Sequence, residues 1–238
     1  MRKTKIICTL GPSTDSPEIL EAMMKSGMDV ARFNFSHGTH EDHKRRLEML
    51  KDLRKKLNIP VAALLDTKGP EIRLKTFEKG EVYLETGQHF TLTAREVTGT
   101  REICSVTYKN LAQDVRLGSQ VMLDDGLISM KVVEKTETDV ICRVENGGAV
   151  KDRKGVNVPG VHLSMPYMSA QDRADIRFGI EEGFDFIAAS FCRTAQDAME
   201  IRRMLDENHS NMRIIAKLEN QEGVNNVDEI LAVVDGVM

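Results

Sequence analysis

The stretch ARFNFSH, at residues 31–37, decides the fold that this sequence predicts. Successive side chains of a β-strand point to opposite faces, so Arg32, Asn34 and Ser36 share one face and the two phenylalanines share the other. A face with a cation, an amide and a hydroxyl is costly to bury without partners, whereas the aromatic face suits packing under helices. The stretch therefore predicts a strand of a parallel sheet with a polar site at its carboxyl end. The alternative is an edge strand whose polar face meets water.

The rest of residues 1–70 alternates short apolar runs with helical patterns. Ser16 and Pro17 predict an N-cap followed by the first turn of a helix. The residues predicted to be buried on that helix are Ile19, Met23 and Met24. Leucines recur at helical spacing over residues 40–57, and residues 61–66 form an apolar strand of the kind that is buried on both faces.

The alternation of apolar runs and helical patterns stops over residues 71–167 and resumes after them. Short alternating segments separated by turn signals, without a long helical stripe, predict an inserted all-β module. In residues 168–238, Ser169 and Thr194 each precede an aspartate by three residues, a variant of the helix capping box. The strands predicted there span residues 184–190 and 213–217. This order predicts a parallel α/β body interrupted by an insertion, and both a doubly wound sheet and a (β/α)8 barrel fit it.

The composition excludes several classes of protein. The 238 residues are 41% hydrophobic and 29% charged, with a net charge of −4, which is typical of a folded protein of one or two domains. No apolar run reaches the roughly 18–20 residues that a membrane span needs, and the mild acidity argues against nucleic acid as a partner. The four cysteines form no CxxC pair and no signal-peptide core follows Met1, so the sequence predicts a reduced, cytoplasmic protein.

Polar side chains also follow two other predicted strands. Asp66 and Thr67 come directly after an apolar strand, and hard oxygen ligands of this kind suit a hard cation. Lys217 and Glu219 stand two apart, so a carboxylate can bind a divalent ion while an ammonium neutralises developing negative charge. Taken alone, Asp66 is more simply explained as a residue that caps the following turn. For Lys217 and Glu219, a structural salt bridge is as good an explanation as a functional site. Together with residues 31–37, these strand ends converge on one rim and supply the groups that phosphoryl transfer needs.

Other signals are weaker. His37, His40 and His43 are spaced three apart near the start of a helix, which suggests a metal site. Their charged neighbours instead predict a solvated helix face, and the basic residues that follow, such as Arg45 and Arg46, are mixed with acids in the same way. The glycine motifs of P-loop and Rossmann proteins do not occur, so those modes of nucleotide binding lack support.

The sequence resembles a known family, pyruvate kinase, over essentially its whole length. Five stretches carry the resemblance: residues 5–13 (KIICTLGPS), 31–38 (ARFNFSHG), 65–73 (LDTKGPEIR), 154–160 (KGVNVPG) and 214–224 (IIAKLENQEGV). The family places a small β-barrel domain inside a (β/α)8 TIM barrel, after its third strand. The resemblance therefore implies an incomplete TIM barrel with an inserted all-β barrel. Residues 1–70 would hold strands 1–3, residues 71–167 the insert, and residues 168–238 strands 4–6.

The resemblance also implies a reaction and roles for particular residues. The family transfers the phosphoryl group of phosphoenolpyruvate to ADP, giving pyruvate and ATP in glycolysis. Arg32 would hold the phosphate, Lys217 would stabilise charge on the phosphoryl group and the enolate, and Glu219 would bind Mg²⁺ or Mn²⁺. The implied potassium ligands are the side chains of Asn34, Ser36 and Asp66 and the backbone carbonyl of Thr67. The implied nucleotide contacts are Asn34, His37, Arg73 and Lys154.

The resemblance breaks off at residue 238. The family continues into an Ala-Arg-Gly-Asp-Leu-Gly stretch, whose aspartate is the second protein ligand to Mg²⁺, and full-length members are homotetramers. The sequence therefore predicts that the 238-residue chain is inactive or nearly so. Two alternatives stay open: another barrel enzyme that acts on phosphoenolpyruvate or an enolate, and a fragment that binds nucleotide without turnover.

Overall fold

The computed structural model of the chain describes residues 3–238. Met1 and Arg2, the first residues of the stretch in which the sequence predicts no signal peptide, lie outside the described residues. The first elements are β1 (Ile7–Leu10), α1 (Pro17–Lys25), β2 (Val30–Asn34), α2 (His40–Leu57) and β3 (Ala62–Asp66), with a 3-10 turn at Pro12–Thr14.

Helix α1 begins and ends where its sequence predicts, and its buried face is predicted in part: Met24 is buried and Met23 packs against the core, but Ile19 does not. The Ser16 hydroxyl accepts a hydrogen bond from the Ile19 amide, and the helix stops before Gly27, whose φ is +104°. Leu20 and Met24 are buried, whereas Ile19, predicted to be buried, is 45% exposed. Because Leu20 and Met24 are four residues apart, they share the face that meets the core, and Ile19 falls beside that face.

The insertion consists almost entirely of short strands. Its elements are β4 (Ile72–Arg73), β5 (Glu81–Leu84), β6 (His89–Thr93), β7 (Ile103–Ser105), α3 (Leu111–Asp114), β8 (Gln120–Leu123), β9 (Ile128–Lys135), β10 (Asp139–Val144), β11 (Gly148–Lys151) and β12 (Gly155–Asn157). Seven strands form a sheet in the order β4-β12-β8-β9-β10-β6-β7, and β5 pairs with β11 in a second sheet. Phe90, Leu92, Val121 and Leu123 are buried in the core of this unit.

The chain then returns to alternating helices and strands. These are α4 (Ala170–Glu181), β13 (Phe186–Ala189), α5 (Ala195–Glu207), β14 (Arg213–Ala216), α6 (Gln221–Asn225), α7 (Val227–Leu231) and β15 (Gly236–Val237). Ser169 and Asp172 form the predicted capping box of α4. Both strands predicted here end earlier than expected, at Ala189 and Ala216, and the residues just beyond them belong to the site described below.

One parallel sheet joins the two ends of the chain. Its strand order is β1-β2-β3-β13-β14-β15, and β3 pairs with β13 across the whole insertion. Phe33, Leu65 and Ile187 project from this sheet into a core that α2 completes with Leu47 and Leu50. The sheet is apolar on its helix side, as parallel sheets covered by helices are.

The contacts divide the chain into two compact units. One contains the residues before Pro70, Tyr167–Glu219 and Gly223–Met238, and the other contains Pro70–Pro166 with Asn220–Glu222. Within residues 3–238, no helix is both long and apolar enough to span a bilayer.

Two residues of α2 contradict the predicted solvated face. His43 is 3% exposed, its ring stacks on Phe35 at 4.1 Å between centroids, and its Nε2 lies 2.9 Å from the His37 carbonyl oxygen. Arg46 is also buried, and it forms two hydrogen bonds with Asp15. Both lie on the side of α2 that packs on the sheet, so the charge pattern of the sequence misplaced them. Burial lowers the pKa of His43 below its ordinary value of about 6.5, which keeps the ring neutral near pH 7.

Candidate functional site

The three polar strand ends predicted from the sequence meet around one carboxylate. Asp66, the last residue of β3, is 1% exposed. Arg32 of β2 donates from Nε to Asp66 Oδ2 at 2.6 Å, and Lys217 Nζ lies 3.1 Å from Asp66 Oδ1. A buried carboxylate thus sits between two cations that come from its two sides, which is how a protein compensates a buried charge.

The residues at the end of β2 contact the end of β3. Asn34 and Asp66 are register partners, and the amide of Phe35 donates to the Asp66 carbonyl oxygen at 3.0 Å. The Asn34 side-chain oxygen accepts the Ser36 amide at 3.0 Å, which tightens the turn after β2. Arg32 and Asn34 therefore lie on an inner strand of the sheet, whereas Ser36, predicted on the same strand, lies in the turn that follows it. The alternative of a water-facing edge strand is wrong, because β2 has a neighbour on each side.

Lys217 and Glu219 follow β14 and extend the cluster. Lys217 Nζ lies 3.2 Å from Glu219 Oε1, so this lysine pairs with both carboxylates of the site. Glu219 Oε2 accepts the backbone amide of Phe191 at 3.0 Å. The salt bridge proposed as an alternative explanation therefore exists, but it is part of the cluster rather than an isolated surface pair.

Ser190 is a central residue that the sequence did not single out. It is 2% exposed, and its hydroxyl lies 2.9 Å from Lys217 Nζ, 3.1 Å from Asp66 Oδ1 and 2.6 Å from the Thr67 carbonyl oxygen. We predicted Ser190 only as the last residue of a strand. The signal was present, because a polar residue that directly follows an apolar strand is the pattern that identified Asp66.

The surroundings of Ser190 hold its backbone rigidly. The Tyr167 hydroxyl donates to the Ser190 carbonyl oxygen at 3.2 Å, and burial raises the Tyr167 pKa well above its usual value, so this donor stays protonated. Burial also raises the pKa of Cys192 to about 12, which leaves an inert thiol beside the site. The four cysteines are free thiols.

The oxygen atoms of the site have the chemistry that the implied cations require. A buried carboxylate, an amide oxygen and a backbone carbonyl, from Asp66, Asn34 and Thr67, are donors that hard cations prefer, and the Ser36 hydroxyl follows in the same turn. Glu219 offers one carboxylate, and Mg²⁺ is commonly held by one or two carboxylates with water and substrate phosphate. Across residues 3–238, no three His, Cys, Asp or Glu side chains are grouped so as to hold a metal ion.

The predicted nucleotide contacts fall in both units. In the parallel body, Asn34 ends β2 and His37 is exposed in the turn that follows. In the insertion, Arg73 Nε donates to Glu71 Oε2 at 2.7 Å, and Lys154 Nζ lies 2.9 Å from Asp124 Oδ1. Each of these two cations is thus held by a carboxylate of its own unit.

Comparison with known proteins gives a consistent result. The family model described as "Pyruvate kinase, barrel domain" matches residues 1–238. The chain is 50% identical over 240 residues to a protein named pyruvate kinase from Staphylococcus aureus (strain MRSA252). It is equally similar to one of the same name from Staphylococcus epidermidis (strain ATCC 35984 / DSM 28319 / BCRC 17069 / CCUG 31568 / BM 3577 / RP62A). Both alignments cover 100% of this chain and 41% of the relative, so the chain spans about two fifths of these relatives.

Proposed function

Because this chain belongs to the pyruvate kinase family, we propose that it carries phosphoryl-transfer groups of such an enzyme. The reaction moves the phosphoryl group of phosphoenolpyruvate to ADP and gives pyruvate and ATP, as a step of glycolysis. The observation that supports this proposal most directly is the buried Asp66 carboxylate, which holds the Arg32 guanidinium and the Lys217 ammonium at one rim of the parallel sheet.

The charges of the site support a role for metal ions in the proposed reaction. Two cations and two anions lie in contact, so their formal charges cancel: Arg32, Lys217, Asp66 and Glu219. A phosphate ester is strongly anionic, and a neutral cluster offers it little net attraction. When bound, Mg²⁺ or Mn²⁺ and K⁺ supply the missing positive charge.

The protein's own residues then position the substrate. Arg32 has a planar fork suited to phosphate, and Asp66 fixes that fork through Nε. Lys217 places an ammonium where negative charge develops on the phosphoryl group and the enolate oxygen. In this scheme Arg32 and Lys217 are the catalytic and substrate-binding residues, and their work is positioning and electrostatic stabilisation.

Further residues would hold the ions and the nucleotide. Glu219 would bind Mg²⁺. The potassium ligands in this proposal are Asn34, Ser36, Asp66 and the Thr67 carbonyl. The nucleotide contacts in this proposal are Asn34, His37, Arg73 and Lys154. Release of Lys154 from Asp124 would be needed before its ammonium could reach a phosphate.

We further infer that these 238 residues alone turn over slowly or not at all, because the chain spans about two fifths of its relatives. A cytoplasmic location and, for the complete enzyme, a homotetramer belong to the same proposal. Neither nucleic acid nor a membrane is a partner in it.

Calorimetric titration of phosphoenolpyruvate into the purified chain tests this function. We expect binding in Mg²⁺ and K⁺ that is at least about tenfold weaker without the two ions, and at least about tenfold weaker in Arg32→Met. Arg45→Met serves as the matched control, because Arg45 lies in the same unit and pairs only with Asp15 in the contacts observed. Equal affinities for all samples would contradict the proposal.

A product assay separates the alternatives. Pyruvate formation that needs no ADP would indicate a different enzyme acting on an enolate. Calorimetric binding of ADP without binding of phosphoenolpyruvate would indicate a fragment that only holds nucleotide. Measurable pyruvate formation that depends on Mg²⁺ and ADP would show that the 238 residues are active by themselves.

A further inference from the structure

The regular pairing of β13 with β14 stops at the site. The Lys217 amide donates to the Ala189 carbonyl oxygen at 2.9 Å, as parallel pairing requires. The next bond of a regular ladder would join the Phe191 amide to the Lys217 carbonyl oxygen. Instead the Cys192 amide makes that bond, at 3.1 Å, so one residue on the β13 side is left over, as in a β-bulge.

That extra residue is Phe191, and its backbone has an uncommon conformation. Its φ is +53°, in the left-handed region that bulky residues avoid. The residues on either side are anchored: the Ser190 amide donates to Thr67 Oγ1 at 3.1 Å, and Cys192 is fully buried. A strained residue persists only where its surroundings determine it, and such residues concentrate at functional sites.

The irregularity frees one hydrogen-bond donor and directs it at the site. The Phe191 amide leaves the ladder and donates to Glu219 Oε2 at 3.0 Å. Glu219 Oε1 is paired with Lys217 at 3.2 Å. The two oxygens of this carboxylate therefore have different partners, one a fixed backbone donor and the other a movable side chain.

We propose that Phe191 is a positioning residue for Glu219, and this inference rests on the proposed function. Its amide fixes Oε2, so Oε1 would be the oxygen that Glu219 offers to a divalent cation. Lys217, which now pairs with Oε1, would then be available to the phosphoryl group. A carboxylate that is already held by a hydrogen bond to one oxygen loses less conformational entropy when it binds a metal than a freely rotating carboxylate does.

Mn²⁺ binding, followed by electron paramagnetic resonance of the free ion, tests the proposal. Phe191→Ile places a β-branched side chain where φ is positive, which should move the amide away from Glu219 and weaken Mn²⁺ binding about tenfold. Phe191→Gly keeps the amide and adopts the left-handed conformation without strain, so it should bind Mn²⁺ within about twofold of the native chain. If the Phe191 side chain rather than its amide were what matters, Phe191→Gly would weaken Mn²⁺ binding as well.

His209→Ile is the matched control for strain. His209 has a φ of +52°, is exposed, and lies before β14, at the end of that strand opposite Glu219. We expect it to lose stability as Phe191→Ile does and to bind Mn²⁺ normally. Equal weakening in both variants, or none in Phe191→Ile, would overturn the proposal.

Amide hydrogen exchange tests the same contact without any metal. In Glu219→Ala, protection of the Phe191 amide should fall at least about tenfold, while the Lys217 amide, bonded to Ala189, should change less than about twofold. Unchanged protection at Phe191 would overturn the positioning role. A further outcome separates this inference from the proposed function. If protection of the Phe191 amide falls as expected but the native chain and Glu219→Ala bind Mn²⁺ alike, the proposed metal site is wrong. The hydrogen bond between the Phe191 amide and Glu219 is then still confirmed.

Discussion

Single residues determine how closely the backbone can pack beside the site, and Gly69 is the sharpest case. Its φ is +68°, and a Cβ atom at this position would lie 2.6 Å from the Ser190 carbonyl oxygen. Since that oxygen also accepts the Tyr167 hydroxyl, it cannot move away without breaking a buried hydrogen bond. The absence of a side chain at residue 69 thus keeps Ser190 in reach of Lys217.

We therefore expect Gly69→Ala to destabilise the chain more than Gly183→Ala. Both residues have left-handed backbones, φ +68° and +69°, but nothing lies within 4 Å of a Cβ at Gly183. Each alanine should lower the free energy of unfolding by about 1 kcal/mol for its backbone conformation, and Gly69→Ala should lose about 1–3 kcal/mol more through the clash. Urea denaturation measures both values, and equal losses would contradict this account.

Residue types at strand ends could be predicted, whereas backbone irregularities could not. Arg32, Asp66 and Lys217 were predicted as a group, because polar groups at the ends of three strands of one parallel sheet are hard to explain separately. Phe191 gives no such signal, since its contribution comes from an amide that every residue but proline has. His43 was misplaced for another reason: its polar ring looks solvated, but its stacking on Phe35 is a tertiary contact.

At the scale of elements, Asp235 joins α5, β14 and the segment before β15. Its Oδ2 accepts the Ile214 amide at 2.9 Å and Arg202 at 2.7 Å, and its Oδ1 accepts Arg213 at 2.8 Å. Burial alone would raise its pKa, but these three donors outweigh burial and hold the pKa at about 2. The carboxylate therefore stabilises the folded state whenever it is ionised.

Asp235→Asn should weaken this junction in a pH-dependent way. The folded pKa is below the unfolded value of about 3.9, so the stabilisation is complete above that value and is lost as the pH falls toward 2. We expect a loss of about 1–2 kcal/mol in the free energy of unfolding at pH 7, shrinking below pH 4. Asp52→Asn, on the exposed side of α2, is the control and should change stability little. A loss that stays constant down to pH 2 would contradict the assignment.

The position at which a helix begins was predicted more reliably than the face that it buries. The caps of α1 and α4 lie where Ser16 and Ser169 predict them, because an N-cap is a contact within one turn. In α1 the predicted burial of Met24 is confirmed, but Ile19 is exposed and Leu20 is buried instead, because the buried face depends on which side the sheet lies.

At the scale of the whole molecule, the parallel body and the insertion share no sheet in the described part of the chain, and each has its own core. The family match and the six-stranded parallel sheet confirm the predicted class, an incomplete α/β barrel with an inserted all-β domain. Both residues that flank the insertion are tied to the body: Gly69 donates to Asp172 Oδ1 at 3.1 Å, and Tyr167 donates to Ser190. The change of hydrophobic pattern along the chain predicted a parallel body with an insertion, but only the resemblance favoured a barrel over a doubly wound sheet.

We therefore expect the body to fold without the insertion. A chain in which a short glycine–serine linker replaces residues 70–166 should keep its helical circular dichroism and unfold cooperatively on heating. The separate segment of residues 70–166 provides the companion measurement and should give a β-type spectrum. Loss of cooperative unfolding in the linked body would show that its sheet depends on the insertion.

The pairing of β3 with β13 has a consequence for synthesis on the ribosome. Thr67 and Ala188, which bond across these strands, are separated by 121 residues of chain. At about 5–20 residues per second, β3 emerges roughly 6–24 seconds before its partner. During that interval one edge of a three-stranded, largely apolar sheet is open to any other nascent strand. Residues 67–190 are therefore translated while this edge can pair wrongly, and slower translation of that segment lengthens the exposure.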